Sequence, residues 1–396
     1  MTSMQTRATA AIAAVALAGA MSACGSDDDK SSAGGANTKQ TVKVGGLFDL
    51  SGPTADVSTP YSEGVKGFVK DYNERGDGPR IELTAEDYKY DVAVAERLYS
   101  RYKADGVVAV QGWGTGDTEA LRGKVTADRL PFMSASYAET LTDPKQTPFN
   151  FVAATSYSDQ MRLALEWVGE EAQGAEVASF HHDSPFGESP QEAGKAKAKV
   201  LGLGFKTYAM PAEATDYVPQ LRRAKAQGAK FVVIQNVSTP AAQLAKNIDE
   251  QGLDMKIVCL NWCGDELFVE LAGKAADGAV GVLPFGPTSV EADGLAAPRE
   301  FLSKNGGNLD KEGLHYVQGW YTMALMAEGI KRAADQGKVT GDAIRQALEA
   351  MDAFDTGGVS APVDFTAQSH AGMKGSKLYE VKDGKWAKLT DLASVS

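Results

Sequence analysis

The chain has 396 residues and a formal net charge of −12, with 52 acidic and 40 basic residues. This acidity argues against nucleic acid or an anionic membrane face as a binding partner. The chain contains only four histidines and three cysteines, too few ligands for a convincing zinc site, and we predict neither a metal nor a cofactor.

The first 23 residues carry one charge, at Arg7, followed by an alanine-rich apolar segment at 8–20 that is too short to span a bilayer. This pattern is typical of a secretory signal peptide. The segment ends in Met21-Ser-Ala-Cys24, which resembles the lipobox of bacterial lipoproteins, where the cysteine becomes the lipidated first residue; Met21 replaces the usual leucine. Acyl chains on Cys24 would anchor the protein, since each buried CH₂ contributes about 0.8 kcal/mol. The alternative is a soluble secreted protein with Cys24 free.

Residues 25–38 contain no apolar side chain larger than alanine and cannot contribute to a core. We therefore predict a flexible tether at 24–40. No later segment of the sequence is long and apolar enough to cross a membrane.

From Thr41 onward, short β-rich runs alternate with helical stretches, which predicts parallel sheets with helices on both faces. A hairpin is predicted at 377–387, because Asp383-Gly384 suits a type I′ turn. The alternation is interrupted at 149–153 and after Pro287, where we expect the chain to pass between two lobes. The predicted strands are 42–47, 81–86, 107–111, 131–134, 177–181, 205–210, 231–235, 257–260 and 279–283, and the later helices are 297–304, 315–334 and 340–351.

One apolar run, at 108–111, breaks into the glycine-rich turn Gly112-Trp-Gly-Thr-Gly-Asp117 and restarts as a helix. Such a turn leaves unpaired backbone N–H groups at the start of the helix, with the positive end of its dipole behind them. That arrangement suits a small anion such as a carboxylate. The glycines allow a ligand to approach, and Thr115 or Asp117 could cap the helix. The alternative is an ordinary strand-to-helix turn.

A series of short motifs runs along residues 41–390: Leu50-Ser-Gly-Pro53, Gly64, Glu86-Asp-Tyr-Lys-Tyr-Asp91, Ser158-Asp-Gln160, Asp183-Ser-Pro-Phe-Gly187 and Asp364-Phe365 with the final hairpin. In order and spacing these motifs resemble those of the substrate-binding proteins of ABC importers with the type I periplasmic-binding fold, in particular the leucine/isoleucine/valine-binding group. The resemblance implies an α/β fold with two Rossmann-like lobes, each with a parallel sheet, joined by a three-segment hinge. It places lobe 1 at 41–153 plus 286–363 and lobe 2 at 154–285 plus 364–396.

The resemblance also implies a ligand site between the lobes. Its carboxylate contacts would be Thr115 in the glycine-rich turn and two serines in the segment 133–137. In the second lobe Phe186 stands where the family usually has tyrosine, and Trp262 stands where it has the acidic residue that meets an amino group. The predicted ligand-binding residues are Trp113, Thr115, Ser134, Ser136, Tyr137, Phe186, Val237 and Trp262.

Trp262 at the acidic position argues against a plain amino acid ligand, because a buried ammonium without an acidic partner costs several kcal/mol. Asp265 and Glu266 follow a few residues later. Aromatic walls suit an aromatic or aliphatic carboxylate, or an amide. Alternatively, the tryptophans are core residues and the two serines are turn residues. Cys259 and Cys263 could form a disulfide if their Cα atoms lie within about 7 Å.

We therefore predict a solute-binding subunit of an ABC importer, lipid-anchored and monomeric on the outer face of the cytoplasmic membrane. It would close on a small carboxylate ligand and deliver it to the membrane permease. The alternative is a ligand sensor of the same fold, for amides, urea or amino acids. An enzyme is not expected, since no Gly-x-Ser-x-Gly elbow occurs and the contiguous His182-Asp-Ser184 cannot form a catalytic triad. The dinucleotide fingerprint lacks its third glycine, because position 117 is Asp.

Overall fold

Two β-sheets form the centres of two lobes in the computed structural model, which describes residues 40–394. The predicted signal peptide, the predicted lipidation site Cys24 and almost all of the predicted tether lie outside the described residues. The first sheet is wholly parallel, with its strands in the order β2-β1-β3-β4-β5. Those strands are β1 (Thr41–Phe48), β2 (Arg80–Asp87), β3 (Ala109–Gly112), β4 (Phe132–Ser134) and β5 (Asn150–Phe151).

The second sheet is mixed: its first five strands along the chain pair in parallel, and a C-terminal hairpin adds antiparallel strands at one edge. The strands are β6 (Glu176–His182), β7 (Gly204–Met210), β8 (Ala229–Gln235), β9 (Lys256–Cys259), β10 (Val280–Leu283), β11 (Gly375–Lys382), β12 (Lys385–Lys388) and β13 (Ala393–Ser394). Their order is β12-β11-β10-β9-β8-β6-β7, and β13 pairs with β11.

Helices follow most of the parallel strands, as the alternating pattern predicts. Within residues 40–394, no helix is long and apolar enough to span a membrane. The α-helices are α1 (Ala55–Arg75), α2 (Val92–Ala104), α3 (Thr115–Asp128), α4 (Tyr157–Glu171), α5 (Pro185–Glu188), α6 (Gln191–Leu201), α7 (Val218–Ala226), α8 (Ser238–Glu250), α9 (Glu266–Ala272), α10 (Ala296–Lys304), α11 (Leu309–Asp335) and α12 (Gly341–Glu349), and short 3₁₀ turns lie at Glu139–Leu141, Asn261–Cys263, Gly273–Ala276 and Asp293–Leu295.

The chain passes between the lobes three times, after β5, after β10 and before β11. Helices α10 to α12 return to the first lobe, where α11 packs along α1. At this contact Gly64 and Gly319 let the helices approach closely, because a Cβ on either glycine would overlap the backbone of the facing helix. The passages are held together by bridges, including Val152 with Ala371 and Phe285 with Ser360. The predicted α/β fold with two lobes is confirmed, whereas the lobe boundaries stay predictions.

Two details differ from the sequence-based expectation. The second sheet is not purely parallel, because the C-terminal hairpin joins it antiparallel to β10. The helix predicted at 315–334 begins earlier, at Leu309, and is interrupted at Gly313, whose φ of 73° is not helical. The predicted hairpin turn is present, since Asp383 and Gly384 both have positive φ, at 51° and 71°.

The sequence leaves a disulfide between Cys259 and Cys263 open, and in the structure both cysteines are buried free thiols. The Cys263 thiol lies against backbone carbonyls, with its Sγ 3.4 Å from the Ile234 oxygen and 3.6 Å from the Leu260 oxygen. Burial raises the pKa of the Cys259 thiol, which disfavours the reactive thiolate.

The contact between α1 and α11 can be tested with Gly64→Ala. The added methyl group would overlap the Tyr316 carbonyl, so we expect the free energy of unfolding to fall by about 1–3 kcal/mol. Gly123→Ala is the matched control, because Gly123 is a helical glycine with nothing within 4 Å of the added Cβ; there alanine should be neutral or stabilising by up to about 1 kcal/mol. Urea denaturation of both variants measures the difference, and equal effects would contradict the packing argument.

Candidate functional site

A small chamber lies between the lobes, where loops from the carboxyl ends of both sheets meet. This is the usual ligand position in open α/β sheets. The chamber encloses about 230 Å³ of space between atoms, but the centre of a water molecule can reach only about 10 Å³ of it. That is room for roughly one ordered water. The lining residues are Thr54, Tyr90, Trp113, Gly114, Thr115, Ala135, Tyr157, Phe186, Val237 and Trp262.

Trp262 explains why the chamber is so small. It belongs to the second lobe, and its indole inserts between rings of the first lobe, with centroid distances of 4.8 Å to Trp113, 5.5 Å to Tyr137, 6.2 Å to Tyr61 and 4.9 Å to His315. Its Nε1 donates a hydrogen bond of 2.8 Å to the Tyr157 hydroxyl of its own lobe. The indole is therefore both a wall of the chamber and a contact between the lobes.

The polar end of the chamber lies at the first turn of α3. The Thr115 and Ser136 hydroxyls are 2.8 Å apart, and the Tyr157 hydroxyl donates to the Ala135 carbonyl at 3.1 Å. The first amides of α3 have no carbonyl partner within the helix, and the helix dipole places partial positive charge there. Hydroxyls and backbone N–H groups together can hold a small anion.

Asp117 lies behind this polar end, in the first turn of α3, and is 2% exposed. The Tyr88 hydroxyl donates to its Oδ1 at 2.9 Å, while its Oδ2 has no hydrogen-bond partner within residues 40–394. Burial raises the pKa of the Asp117 carboxyl to about 7, although the hydrogen bond from Tyr88 lowers it. Protonated Asp117 leaves the helix N-terminus free for another anion, whereas ionised Asp117 competes with it.

Five of the eight predicted ligand-binding residues line the chamber: Trp113, Thr115, Phe186, Val237 and Trp262. The other three lie behind its wall. Ser136 contacts Thr115, and the Ser134 hydroxyl donates to the Ser136 carbonyl at 3.3 Å, as expected of a turn residue. Tyr137 stacks on Trp262, and its hydroxyl has no partner among the described residues. The ligand role of all eight stays a prediction.

Sequence reasoning missed three side chains that line the chamber, Thr54, Tyr90 and Tyr157. Thr54 directly follows the motif at 50–53, and its hydroxyl donates to Asp49 at 2.7 Å and accepts from Trp113 Nε1 at 2.8 Å. Tyr90 belongs to the motif at 86–91 and has a positive φ of 58°. The motifs at 50–53 and 86–91 therefore indicate residues of the chamber as well as the fold.

The two acidic residues after β9 do not line the chamber. Asp265 caps α9 by accepting from the Phe268 amide at 2.8 Å, and its Oδ2 lies 3.2 Å from His315 Nε2. That carboxylate raises the pKa of His315 against the lowering effect of burial. Glu266 accepts from the backbone amides of Thr288 and Leu314, each at 2.8 Å. Asp265 is thus paired with a helix start and with His315, and Glu266 is paired with two backbone amides of the first lobe. Neither carboxylate faces the chamber.

Comparison with known proteins identifies relatives over most of the chain. A family model described as periplasmic binding protein matches residues 41–385. A leucine-, isoleucine-, valine-, threonine-, and alanine-binding protein from Pseudomonas aeruginosa is 21% identical over 323 residues, covering 80% of this chain and 84% of that protein.

Solved structures share the fold closely. A branched chain amino acid ABC transporter structure from Thermus thermophilus with bound valine has a TM-score of 0.85 and 28% identity, covering 90% of this chain and 97% of that one. A fatty acid ABC transporter substrate-binding protein from Thermomonospora curvata has a TM-score of 0.82 and 18% identity, covering 90% and 92%, and shows the fold alone. The ligands named for these proteins differ, so the fold does not determine the ligand.

The buried Asp117 predicts a pH-dependent stability. Its folded-state pKa of about 7 lies above the ordinary value of 3.8, so ionisation penalises the folded state increasingly as pH rises from about 4 to 7. We therefore compare the free energy of unfolding of Asp117→Asn with that of the wild type at two pH values. The difference, variant minus wild type, should be about 2–3 kcal/mol larger at pH 8 than at pH 5.

Asp143→Asn is the control, because hydrogen bonds from the Lys145 amide and Gln146 lower the pKa of Asp143. Its contribution is lost only as pH falls below the ordinary value, so its effect should be the same at pH 5 and 8. Urea unfolding at both pH values measures the two differences. A pH-independent effect of Asp117→Asn would contradict the burial argument.

Proposed function

The chain belongs to the periplasmic binding protein family, and we propose that it is the extracytoplasmic solute-binding subunit of an ABC importer. In this proposal a small carboxylate ligand is captured between the two lobes and passed to the membrane permease. The lipid on Cys24, outside the described residues, would keep the protein at the outer face of the cytoplasmic membrane.

The observation that carries the proposal is the polar end of the chamber. Thr115 and the first turn of α3 provide hydroxyl and amide donors, and no lysine or arginine is among the residues that line the chamber within 40–394. Charge-assisted hydrogen bonds to such donors hold a carboxylate without a buried counter-charge. The apolar walls, Trp113, Phe186, Val237 and Trp262, favour a short aliphatic or aromatic group on that carboxylate.

Capture requires the lobes to open and close, because the closed chamber has room for roughly one water. Several hydrogen bonds join the lobes in the closed form, and two of them lie at Asp56 and Asn261. The Thr239 amide donates to Asp56 Oδ2 at 2.9 Å, and Gln318 Nε2 donates to Asn261 Oδ1 at 2.6 Å. A ligand that contacts both lobes binds the closed form more tightly, and it shifts the population by that difference in affinity. The permease would then recognise the closed form.

A sensor for a small neutral amide or urea is the second candidate. The observation that favours it is the small and uncharged chamber, whose hydroxyls, Thr54, Thr115 and Tyr157, can donate as well as accept hydrogen bonds. A thermal-shift panel of short carboxylic acids, amino acids, amides and urea separates the two candidates. Stabilisation by amides or urea alone would overturn the carboxylate proposal in favour of the sensor.

Thr115→Ala tests the carboxylate contact. Removing the hydroxyl should weaken the best carboxylate of the panel by about tenfold, because a hydrogen bond to a charged group contributes about 1.5–3 kcal/mol. Thr126→Ala is the control, since Thr126 lies on the same helix and its hydroxyl donates only to the Arg122 carbonyl. Isothermal titration calorimetry measures both variants, and an unchanged affinity in Thr115→Ala would count against this site.

Trp262→Ala tests the role of the indole in ligand selection. The variant should lose affinity for the shortest acids that bind the wild type and gain affinity for longer ones, such as hexanoate or 3-phenylpropanoate, because the chamber grows by most of an indole. Trp262→Phe keeps an aromatic wall and should change the preference less. The same calorimetric series compares the variants. An unaltered order of preference in Trp262→Ala would place the ligand elsewhere.

A further inference from the structure

A second cavity, which we call the outer groove, lies between the lobes beside the chamber. Water centres reach about 460 Å³ of it, against about 10 Å³ of the chamber. The first lobe contributes the loop and helix start at 52–56, and the second lobe contributes segments around His182, Met210, Asn236 and Thr239. The outer groove is therefore large enough for a part of a ligand that the chamber cannot hold.

The outer groove adjoins the chamber across a shared wall. The ring of His182, which lines the groove, lies 5.8 Å from the rings of both Tyr90 and Phe186, which line the chamber. Thr54 and Val237 line the chamber, and their sequence neighbours line the groove. A ligand with one end at α3 can therefore extend along these residues into the groove when the lobes close on it.

Two side chains of the groove wall, the partly buried Asp56 and the buried His182, each have a buried polar atom without a partner among the described residues. Asp56 Oδ2 accepts from the Thr239 amide, but Oδ1 has no hydrogen-bond partner in the part of the chain that the structure describes. His182 is only 6% exposed; its Nδ1 lies 2.8 Å from the Ser184 hydroxyl, and its Nε2 likewise has no partner among residues 40–394. A buried polar atom without a partner costs about 1–3 kcal/mol, which a matching ligand group would recover.

The charge of the groove indicates which group matches. Asp56 is the one carboxylate among the described residues that line it, and no lysine or arginine joins them. Burial raises the pKa of Asp56, although hydrogen bonding from Thr239 partly offsets this rise. A cation beside Asp56 would stabilise its ionised form. The nearby His315 does not supply this cation by direct contact, since its Nε2 pairs with Asp265.

We propose that Asp56 binds the ammonium group of an amino carboxylate whose carboxylate lies at the start of α3, with His182 Nε2 as a second acceptor. This inference rests on the proposed function and narrows its ligand class. It supplies, from the first lobe, the acidic partner that the residues after β9 do not provide. It also reverses the expectation, drawn from Trp262 alone, that an amino acid is disfavoured.

The experiment compares acids that differ only in the amino group: valine with 3-methylbutanoate, phenylalanine with 3-phenylpropanoate, and 5-aminopentanoate with pentanoate. Calorimetry on the wild-type protein should show at least one amino compound that binds tenfold or more tightly than its partner acid. In Asp56→Asn the ratio of the two affinities, amino compound over partner acid, should fall to about twofold or less. The reason is that asparagine can still accept from the Thr239 amide but carries no charge. Asp56→Ser serves the same purpose if Asp56→Asn does not fold.

Glu63→Gln is the matched control, because Glu63 lies on the same helix and pairs with Lys66 at the surface; its ratio should equal that of the wild type. A ratio unchanged in both Asp56 variants, or plain acids that bind as tightly as the amino compounds, would overturn the inference and leave the proposed function intact. If neither member of any pair binds the wild-type protein, the proposed function fails together with the inference.

Discussion

The insertion of Trp262 between aromatic rings of the opposite lobe governs the geometry of the cleft. Its contacts with Tyr61, Trp113 and Tyr137 cross the boundary between the lobes, and aromatic pairs of this kind contribute about 0.5–1.5 kcal/mol each beyond the area they bury. These contacts stabilise the observed arrangement of the two lobes. Under the proposed function, a ligand would add to these contacts or replace them, and the space that the indole leaves would select its size and apolar shape.

The two lobes contribute different chemistry to the cleft. The first lobe provides a fixed polar end, because α3 and the loop after β1 are held by buried hydrogen bonds such as those that Asp49 accepts from Gly52 and Thr54. The second lobe provides mainly apolar walls, Phe186, Val237 and Trp262. Under the proposed function, recognition of the carboxylate by the first lobe would stay constant while substitutions in the second lobe change which side chain the cleft accepts. This division agrees with a fold whose named relatives bind different ligands.

The sequence predicts those features that local patterns encode. Alternating apolar runs identify the strands, and a glycine-rich turn after β3 identifies the polar end of the chamber. Features that depend on packing between distant segments were missed. Asp56 appears in the sequence as an ordinary acidic residue in a first helical turn, and only the meeting of α1 with α8 brings it to the Thr239 amide. Likewise, the spacing of Cys259 and Cys263 leaves a disulfide possible, and only the folded structure shows two buried free thiols.

The placement of Trp113 and Trp262 has an optical consequence. Their ring centroids are 4.8 Å apart with planes inclined at 63°, close enough for the electronic transitions of the two indoles to couple. Because one indole belongs to each lobe, this coupling would be lost if the lobes separated as the proposed function requires. The chain has just three other tryptophans, so a circular dichroism couplet from this pair would stand out, and the unlabelled protein carries its own spectroscopic gauge of the distance between the lobes.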